Sequence, residues 1–337
     1  MVRPGETIGP YRILECLGEG GMGAVFAAED PRLARRVAIK VLSPHRLVDR
    51  VSRDRFFQEA RLASSLDHAN ICPVHDVGVT QDDQPYIVMG LARGQTLRER
   101  MAEGPLAIPE IREIARQVAR GLAEAHRNGV IHRDIKPENL MVSRSDAGAL
   151  KVKILDFGIA KAEDVSLTRD GSSPGTISYM SPEQIRSEDV GPQTDVWAFG
   201  VVLYEMVAGQ HPFPGKRWQQ VQYSVTTRDP EPLTAVRRDA PEDLRSIAER
   251  CLEKDPWARY PSGIELSRNL EGPSPEELEA LRARIRRRTR VVATLALLAL
   301  LLFLAVGTQP GREALARMAG RVTGYASYHV LVLPFAS

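Results

Sequence analysis

The chain contains few cysteines and has a small net charge, and each of these features argues against one class of protein. Its 337 residues contain three cysteines, Cys16, Cys72 and Cys251. Their odd number and wide spacing argue against a disulfide framework and fit a reducing compartment. The net charge is +2, and removing the six arginines of residues 282–290 leaves −4 for the rest of the chain. Nucleic-acid binding is therefore not expected.

Two further features are missing. Residues 1–10 contain no apolar run, so a signal peptide is not expected, and no internal repeat is visible. A chain with 26% charged and 43% hydrophobic residues is typical of one large globular domain or two, and not of a disordered protein. What the chain does contain is a series of short motifs with informative order and spacing.

The most informative motif is HRDIKPEN at residues 132–139. Asp156 opens a DFG tripeptide 17 residues after Asn139. Asp134 can accept a proton from a hydroxyl group, and Lys136 can neutralise a phosphate that is being transferred. Asn139 and Asp156 supply the oxygen ligands that Mg²⁺ prefers beside nucleotide phosphates. Together the two segments hold the parts needed to move a phosphoryl group.

A glycine-rich loop precedes these motifs. Residues 18–23 read GEGGMG, a GxGxxG pattern whose glycines let the backbone lie against phosphates without a Cβ atom in the way. Dinucleotide-binding folds also use this pattern, but there it opens a helix. Here residues 24–28 read as a strand, so we expect a hairpin lid. The next strand carries Lys40, and a helix around residues 56–62 offers Glu59 as its partner.

Three further motifs follow in order: GTISYMSPE at residues 175–183, DVWAFG at 195–200 and DPWARYP at 255–261. Through these motifs the chain resembles the bacterial eukaryotic-like, membrane-anchored Ser/Thr protein kinases over about residues 11–270. The resemblance implies an α+β fold with a strand-rich N-lobe and a helical C-lobe, followed by one transmembrane helix. It implies a serine/threonine protein kinase that uses ATP and Mg²⁺, with Mn²⁺ as an alternative ion.

The resemblance also assigns roles to single residues. Lys40 would contact the α and β phosphates of ATP and pair with Glu59. Asn139 and Asp156 would hold the metal ions. The residues expected to be catalytic are Asp134, Lys136, Lys40, Glu59 and Thr176. Those expected to surround the nucleotide are Leu17, Gly18, Glu19, Gly20, Gly21, Met22, Gly23, Val25, Ala38, Lys40, Met89 (the gatekeeper position) and Met141.

Other expectations concern the activation segment. Lys136 together with Thr176 indicates Ser/Thr substrates, since tyrosine kinases typically carry Ala-Ala-Arg or Arg-Ala-Ala where residues 135–137 read IKP. Thr168 is the expected main autophosphorylation site. Two structural contacts are also expected: a buried ion pair between Glu183 and Arg259, and packing of His132 against Phe157.

The patterning predicts how the lobes are built. Residues 11–88 read as strands with one helix near 51–66, and a hinge is expected at 90–94. The helical lobe is expected to contain an amphipathic helix that ends at Asn128, a buried central helix and two later helices. Their ranges are up to 128, 192–208, 241–252 and 262–270.

The remaining chain reads as three segments. Residues 271–290 are a basic juxtamembrane segment. Residues 291–307 contain seven leucines, three valines and a phenylalanine without a charge, which predicts a short transmembrane helix. The arginine cluster on its N-terminal side should stay in the cytoplasm, so a single-pass protein in a bacterial cell membrane with a cytoplasmic kinase domain is expected. Residues 308–337 read as a short outer tail that could begin a further domain.

Three alternatives remain open at the level of sequence. A nucleotide-binding scaffold without activity would be expected to lack Lys40, Asp134, Asn139 or Asp156, and all four are present. A small-molecule phosphotransferase would generally lack the peptide-docking segment around residues 176–183. A sensor without catalysis would need an outer domain. The expected partners are ATP, Ser/Thr-containing protein substrates, the membrane and a second copy of the chain for autophosphorylation in trans.

Overall fold

A computed structural model describes residues 3–20, 23–43, 50–157, 177–215, 217–272 and 275–307, together with 311, 313–314 and 316–318. The chain divides into two compact units, residues 1–272 and 273–337, which we describe separately. The first unit contains two lobes, as the sequence predicts.

The N-lobe is a six-stranded antiparallel sheet with one helix. The strand order is β1-β2-β3-β4-β6-β5. The elements are β1 (Thr7–Ile8), β2 (Tyr11–Gly20), β3 (Gly23–Asp30), β4 (Arg35–Leu42), α1 (Arg50–Ser64), β5 (Val74–Val79) and β6 (Pro85–Gly90). The helix that was expected near residues 51–66 is therefore present.

Both faces of this sheet are apolar. Because side chains alternate along a strand, Val37, Ile39 and Val41 of β4 pack into an outer cluster with residues of β1 and β2. Ala38 and Leu42 point to the other face and pack with Phe56 of α1. Lys40 shares the parity of Ala38 and Leu42, so this alternation directs it to the inner side of the sheet.

The C-lobe is mainly helical and contains a small three-stranded sheet of order β7-β8-β9. Its strands are β7 (Gln95–Thr96), β8 (Leu140–Arg144) and β9 (Leu150–Ile154), and short 3₁₀ turns span Pro137–Asn139 and Pro256–Ala258. Its helices are α2 (Leu97–Ala102), α3 (Ile108–Arg127), α4 (Pro182–Arg186), α5 (Pro192–Ala208), α6 (Trp218–Thr227), α7 (Leu233–Val236), α8 (Glu242–Cys251) and α9 (Gly263–Glu271).

Two helices form the centre of this lobe. Helix α3 buries its apolar stripe from Ile111 to Ala125 and ends at Asn128, where Gly129 adopts a φ of 71° that suits glycine. Helix α5 is buried on every side from Thr194 to Val207, which explains why its sequence lacks a polar face. Both helices match the expected positions.

The second unit is described mainly by one helix, α10 (Pro275–Gly307), of 33 residues. The basic and apolar segments, which were expected as separate pieces, form one continuous helix. Within the described residues, no helix combines the length and the hydropathy that a bilayer span requires, so the predicted transmembrane helix is not found there. The expected strand at residues 328–335 lies outside the described residues.

Candidate active site

Lys40 and Asp156 form an ion pair at the inner side of the N-lobe sheet. Strand β4 carries Lys40 opposite Val25 of β3 and Ile87 of β6. The ammonium group of Lys40 donates to the Asp156 carboxylate, and the two side chains are 13% and 24% exposed. Asp156 has a φ of 57°, a strained conformation for a residue with a Cβ atom. Such strain is common at functional sites.

Glu59 has a different partner from the one expected. Its Oε1 atom accepts a hydrogen bond from Nη1 of Arg133 at 3.0 Å. Both Glu59 and Lys40 lie in the described part of the chain, and the expected pair between them is not formed in this structure. The physical reason is competition: the Asp156 carboxylate occupies the Lys40 ammonium, while a guanidinium group satisfies Glu59. Burial raises the pKa of Glu59, and the charge of Arg133 opposes that rise.

Three residues of the segment 132–139, which we call the catalytic loop, lie together. The 3₁₀ turn Pro137–Asn139 folds the loop back, so that Nδ2 of Asn139 donates to the carbonyl oxygen of Asp134 at 2.8 Å and to its Oδ2 atom at 3.1 Å. Nζ of Lys136 lies 3.0 Å from the same Oδ2 atom. These contacts fix the orientation of the Asp134 carboxylate, as a base or hydroxyl-orienting group requires.

The buried carboxylate of Asp195 binds the backbone of this loop. Its carboxylate accepts hydrogen bonds from the backbone N–H groups of His132 and Arg133, both at 2.7 Å. Nε2 of His126 donates to it at 2.9 Å, while Nδ1 of His126 accepts from the N–H of Gly263. Burial alone would raise the pKa of Asp195, but these bonds lower it below its ordinary value. Arg133 is thereby kept at a φ of 63°.

Asp195 was not predicted as a functional residue. The DVWAFG motif that contains it was recognised, but an acidic residue near a helix start also reads as a simple charge on the helix dipole. Only the fold shows that this carboxylate satisfies two backbone donors of the catalytic loop. The same is true of Gln184, whose Nε2 atom donates to the carbonyl oxygen of Arg133 at 3.1 Å.

His132 acts in packing, as expected. Its ring lies 4.7 Å from the Phe157 ring, centroid to centroid. Nε2 of His132 donates to the carbonyl oxygen of Leu155 at 2.8 Å, and Nδ1 accepts from the N–H of Asp134. Burial lowers the pKa of His132, so the ring stays neutral and links the two catalytic segments.

The predicted metal ligands come from adjacent segments. The N–H of Leu155 donates to the carbonyl oxygen of Asn139 at 2.8 Å, which brings Asp156 next to Asn139 in the fold. Since the Nδ2 atom of Asn139 is bonded to Asp134, its Oδ1 atom is the one suited to a cation. An amide oxygen and a carboxylate form a hard donor set that fits Mg²⁺.

The glycine-rich loop lies where β2 and β3 pair. Glu19 pairs with Ala24 and Gly20 with Gly23, so the loop is the expected hairpin and does not open a helix. Gly23 has a φ of 127°, and a Cβ atom there would lie 1.9 Å from the carbonyl oxygen of Val41. Only glycine fits this turn.

The other predicted nucleotide contacts are spread over five strands. Ala38 pairs with Met89 across β4 and β6, and both side chains are buried. The remaining described positions are Leu17, Gly18, Glu19 and Gly20 on β2, Val25 on β3, and Met141 on β8. Gly21, Met22, Thr168 and Thr176 lie outside the described residues.

The expected ion pair between Glu183 and Arg259 is present. Nη1 and Nη2 of Arg259 donate to the two carboxylate oxygens of Glu183 at 2.8 and 2.9 Å. The side chains are 5% and 0% exposed, and Thr194 also donates to Glu183 at 2.9 Å. The pair fixes α4, which follows the activation segment, to the helical lobe.

Comparisons with known proteins agree with this geometry. The protein kinase domain family matches residues 11–265. The chain is 37% identical over 292 residues to serine/threonine-protein kinase PknB of Mycobacterium tuberculosis, an alignment that covers 83% of this chain and 46% of PknB. It is 38% identical over 288 residues to PknA of the same species, covering 83% of this chain and 63% of PknA. The chain thus spans about half the length of the curated relatives it matches.

Solved structures give the same result. The crystal structure of the Mycobacterium tuberculosis PknI kinase domain superposes with a TM-score of 0.65 at 29% sequence identity. The superposition covers 80% of this chain and 99% of that domain. The likeness in fold therefore extends over the whole of the two-lobed unit.

Proposed function

Because this chain belongs to the protein kinase domain family, we propose that it transfers the γ-phosphoryl group of ATP to serine and threonine hydroxyl groups of proteins. The observation that carries the proposal is the cluster around Asp134. One carboxylate oxygen there lies 3.0 Å from the Lys136 ammonium and 3.1 Å from the Asn139 amide. The likeness to PknB and PknA, both named serine/threonine kinases, supports the hydroxyl class.

The residues divide the work as follows. Asp134 accepts a hydrogen bond from the hydroxyl group of the protein substrate and orients it. Lys136 balances the charge of the phosphoryl group during transfer. Lys40 holds the nucleotide phosphates. Asn139 and Asp156 would hold Mg²⁺, which supplies charge neutralisation at the phosphates when it is bound. Most of the rate gain then comes from positioning and fixed charge.

Replacement of Asp134 tests this assignment. We expect Asp134→Asn to abolish transfer of labelled phosphate to a protein acceptor while ATP binding, measured by calorimetry, is retained. Asp146→Asn is the matched control, since it makes the same chemical change at an exposed loop position. ATP binding without transfer by the wild-type chain would indicate a nucleotide-binding scaffold instead, and transfer to tyrosine would refute the substrate class.

We propose autophosphorylation at Thr168 on the basis of the sequence, and transfer between two copies of the chain as its route. Mixing the Asp134→Asn chain with active enzyme should place phosphate on Thr168 of the inactive copy, as read by mass spectrometry. Phosphate found only on the active copy would exclude transfer between chains.

We also propose attachment to the cell membrane through residues 291–307, with the kinase domain in the cytoplasm as part of a signalling protein. Leu297 and Leu301 are 57% and 53% exposed along α10, which leaves apolar surface available to lipid. Full-length chain should sediment with membranes and be released by detergent, and Leu297→Arg/Leu301→Arg should shift it to the supernatant. Leu33→Arg, at a leucine that is 62% exposed in the kinase unit, is the control.

A further inference from the structure

Arg98, which has no role in the catalytic description above, lies at a junction of three elements. Its Nε atom donates to Oε1 of Glu138 at 2.9 Å, and its Nη1 atom donates to Oε1 of Glu205 at 2.7 Å. Its Nη2 atom donates to the hydroxyl group of Tyr179. One guanidinium group therefore contacts the catalytic loop, the central helix α5 and the segment that enters α4.

The placement of Arg98 is built into the local fold. Thr96 pairs with Met141 across β7 and β8, two residues after the catalytic Asn139. Thr96 then caps α2 through a capping box with Glu99, which fixes where the helix begins. Arg98 follows in the first turn and so projects from a defined point beside the 3₁₀ turn that carries Glu138.

Two of the three partners of Arg98, Tyr179 and Glu205, are buried and are bonded to each other. The Tyr179 hydroxyl donates to Oε2 of Glu205 at 2.5 Å, and Tyr179 and Glu205 are 5% and 7% exposed. Without Arg98, a nearly buried carboxylate and the exposed Glu138 would repel each other, and the tyrosine would lose its donor. Leaving such groups unpaired is costly.

Two of the elements that Arg98 contacts are connected to Asp134, the proposed acceptor site. Glu138 immediately precedes Asn139, which is bonded to Asp134. Tyr179 is two residues before Ser181, the cap of α4, and α4 itself binds the catalytic loop through Gln184 and the carbonyl oxygen of Arg133. Residues 177–181 and the catalytic loop are therefore joined next to Asp134, where the proposed acceptor hydroxyl group must be placed.

We propose that Arg98 is a positioning residue for the protein substrate: it sets the distance between the catalytic loop and residues 177–181 by bridging Glu138, Glu205 and Tyr179. The inference rests on the proposed kinase activity and deepens it. Among the described residues, the hydrogen bonds of Arg98 go to Glu138, Glu205 and Tyr179 and not to the strands that carry the predicted nucleotide contacts, so its role concerns the acceptor and not ATP.

Steady-state kinetics with an acceptor peptide and ATP varied separately test this role. Arg98→Ala should lower kcat/KM for the peptide by about tenfold or more, the range set by losing hydrogen bonds to charged groups, while KM for ATP stays unchanged. Arg98→Lys should recover part of the loss, and added methylguanidinium should partly restore Arg98→Ala by refilling the site. Arg100→Ala is the matched control, since Arg100 lies on the same helix and bonds to Glu110.

If Arg98→Ala does not fold, Glu138→Gln removes one arm of the bridge at a 46% exposed position and should also lower kcat/KM for the peptide. An unchanged kcat/KM for the peptide in the folded variants, or a fall in kcat/KM for the peptide accompanied by an equal rise in KM for ATP, would overturn the role of Arg98 alone. No transfer by the wild-type chain would refute the proposed kinase function, and this inference with it.

Discussion

Glu59 and Arg133 form an ion pair that joins helix α1 to the catalytic loop. The side chains are 27% and 26% exposed, so the pair is only partly screened by water. Active phosphoryl transfer as proposed here needs Lys40 at the nucleotide, and Glu59 is the carboxylate predicted to steady it. Glu59 must then exchange Arg133 for Lys40.

A double-mutant cycle with Glu59→Gln and Arg133→Gln tests this exchange. In the ligand-free chain we expect a coupling of about 0.5–1 kcal/mol in the free energy of unfolding, as for partly exposed pairs. With a saturating, non-hydrolysable ATP analogue and Mg²⁺ the coupling should vanish. A coupling that persists would mean that Glu59 does not change partner.

The buried pair Glu183–Arg259 has a larger energetic role. Arg259→Ala leaves a carboxylate uncompensated in the interior and should lower the free energy of unfolding by about 3–5 kcal/mol. Urea titration measures this. Arg120→Ala provides the comparison, because the Arg120–Glu271 pair is 47% and 44% exposed and should contribute less than about 1 kcal/mol. Equal losses would contradict the role of burial.

The same pair predicts a dependence on pH. Burial would raise the pKa of Glu183, but hydrogen bonds from Arg259 and Thr194 hold it below its ordinary value of 4.5. A group with a depressed folded pKa contributes fully above the unfolded value and loses its contribution as the pH falls through the folded one. The urea concentration at the unfolding midpoint should therefore decrease as the pH is lowered below about 4.5. This decrease should be less steep in Glu183→Gln.

At the scale of elements, helix α5 packs closely against α8 at Gly200. A Cβ atom on Gly200 would lie 2.5 Å from the Cβ atom of Cys251. Gly200→Ala gains about 1 kcal/mol of helix propensity, but overpacking of this degree costs about 1–3 kcal/mol, so we expect net destabilisation. Thermal unfolding of Gly200→Ala, Cys251→Gly and the double variant should show the double variant to be more stable than additivity predicts.

The elements also show what the sequence can and cannot predict. The stripe of α3 and the hairpin that carries the glycine-rich loop follow from local periodicity, so both were predictable. The continuity of α10 was not, because the change from arginines to apolar residues at residue 291 alters the side chains and leaves the backbone hydrogen bonds unaffected. The partner of Glu59 was not predictable either, since spacing identifies candidate charges but not which of two competing pairs forms.

At the scale of the whole molecule, the two lobes share one apolar cluster. Phe56 and Ile87 of the N-lobe belong to the same cluster as Leu122 and Trp197 of the C-lobe. Residues 1–272 alone should therefore fold, transfer phosphate and unfold in a single calorimetric transition with equal calorimetric and van't Hoff enthalpies. Two resolved transitions would show that the lobes fold independently.

The bond between Lys40 and Asp156 has a consequence for nucleotide affinity. In the proposed reaction Lys40 holds the nucleotide phosphates and Asp156 holds a metal ion, so binding of the nucleotide requires that this pair separates. Only the fraction of molecules in which the pair is already open can bind directly, and the observed dissociation constant exceeds the intrinsic one by the inverse of that fraction. The ligand-free chain is thus a mixture of molecules in which the Lys40–Asp156 pair is closed or open. A ligand that offers both an anion to Lys40 and a cation to Asp156 shifts this population furthest toward the open form.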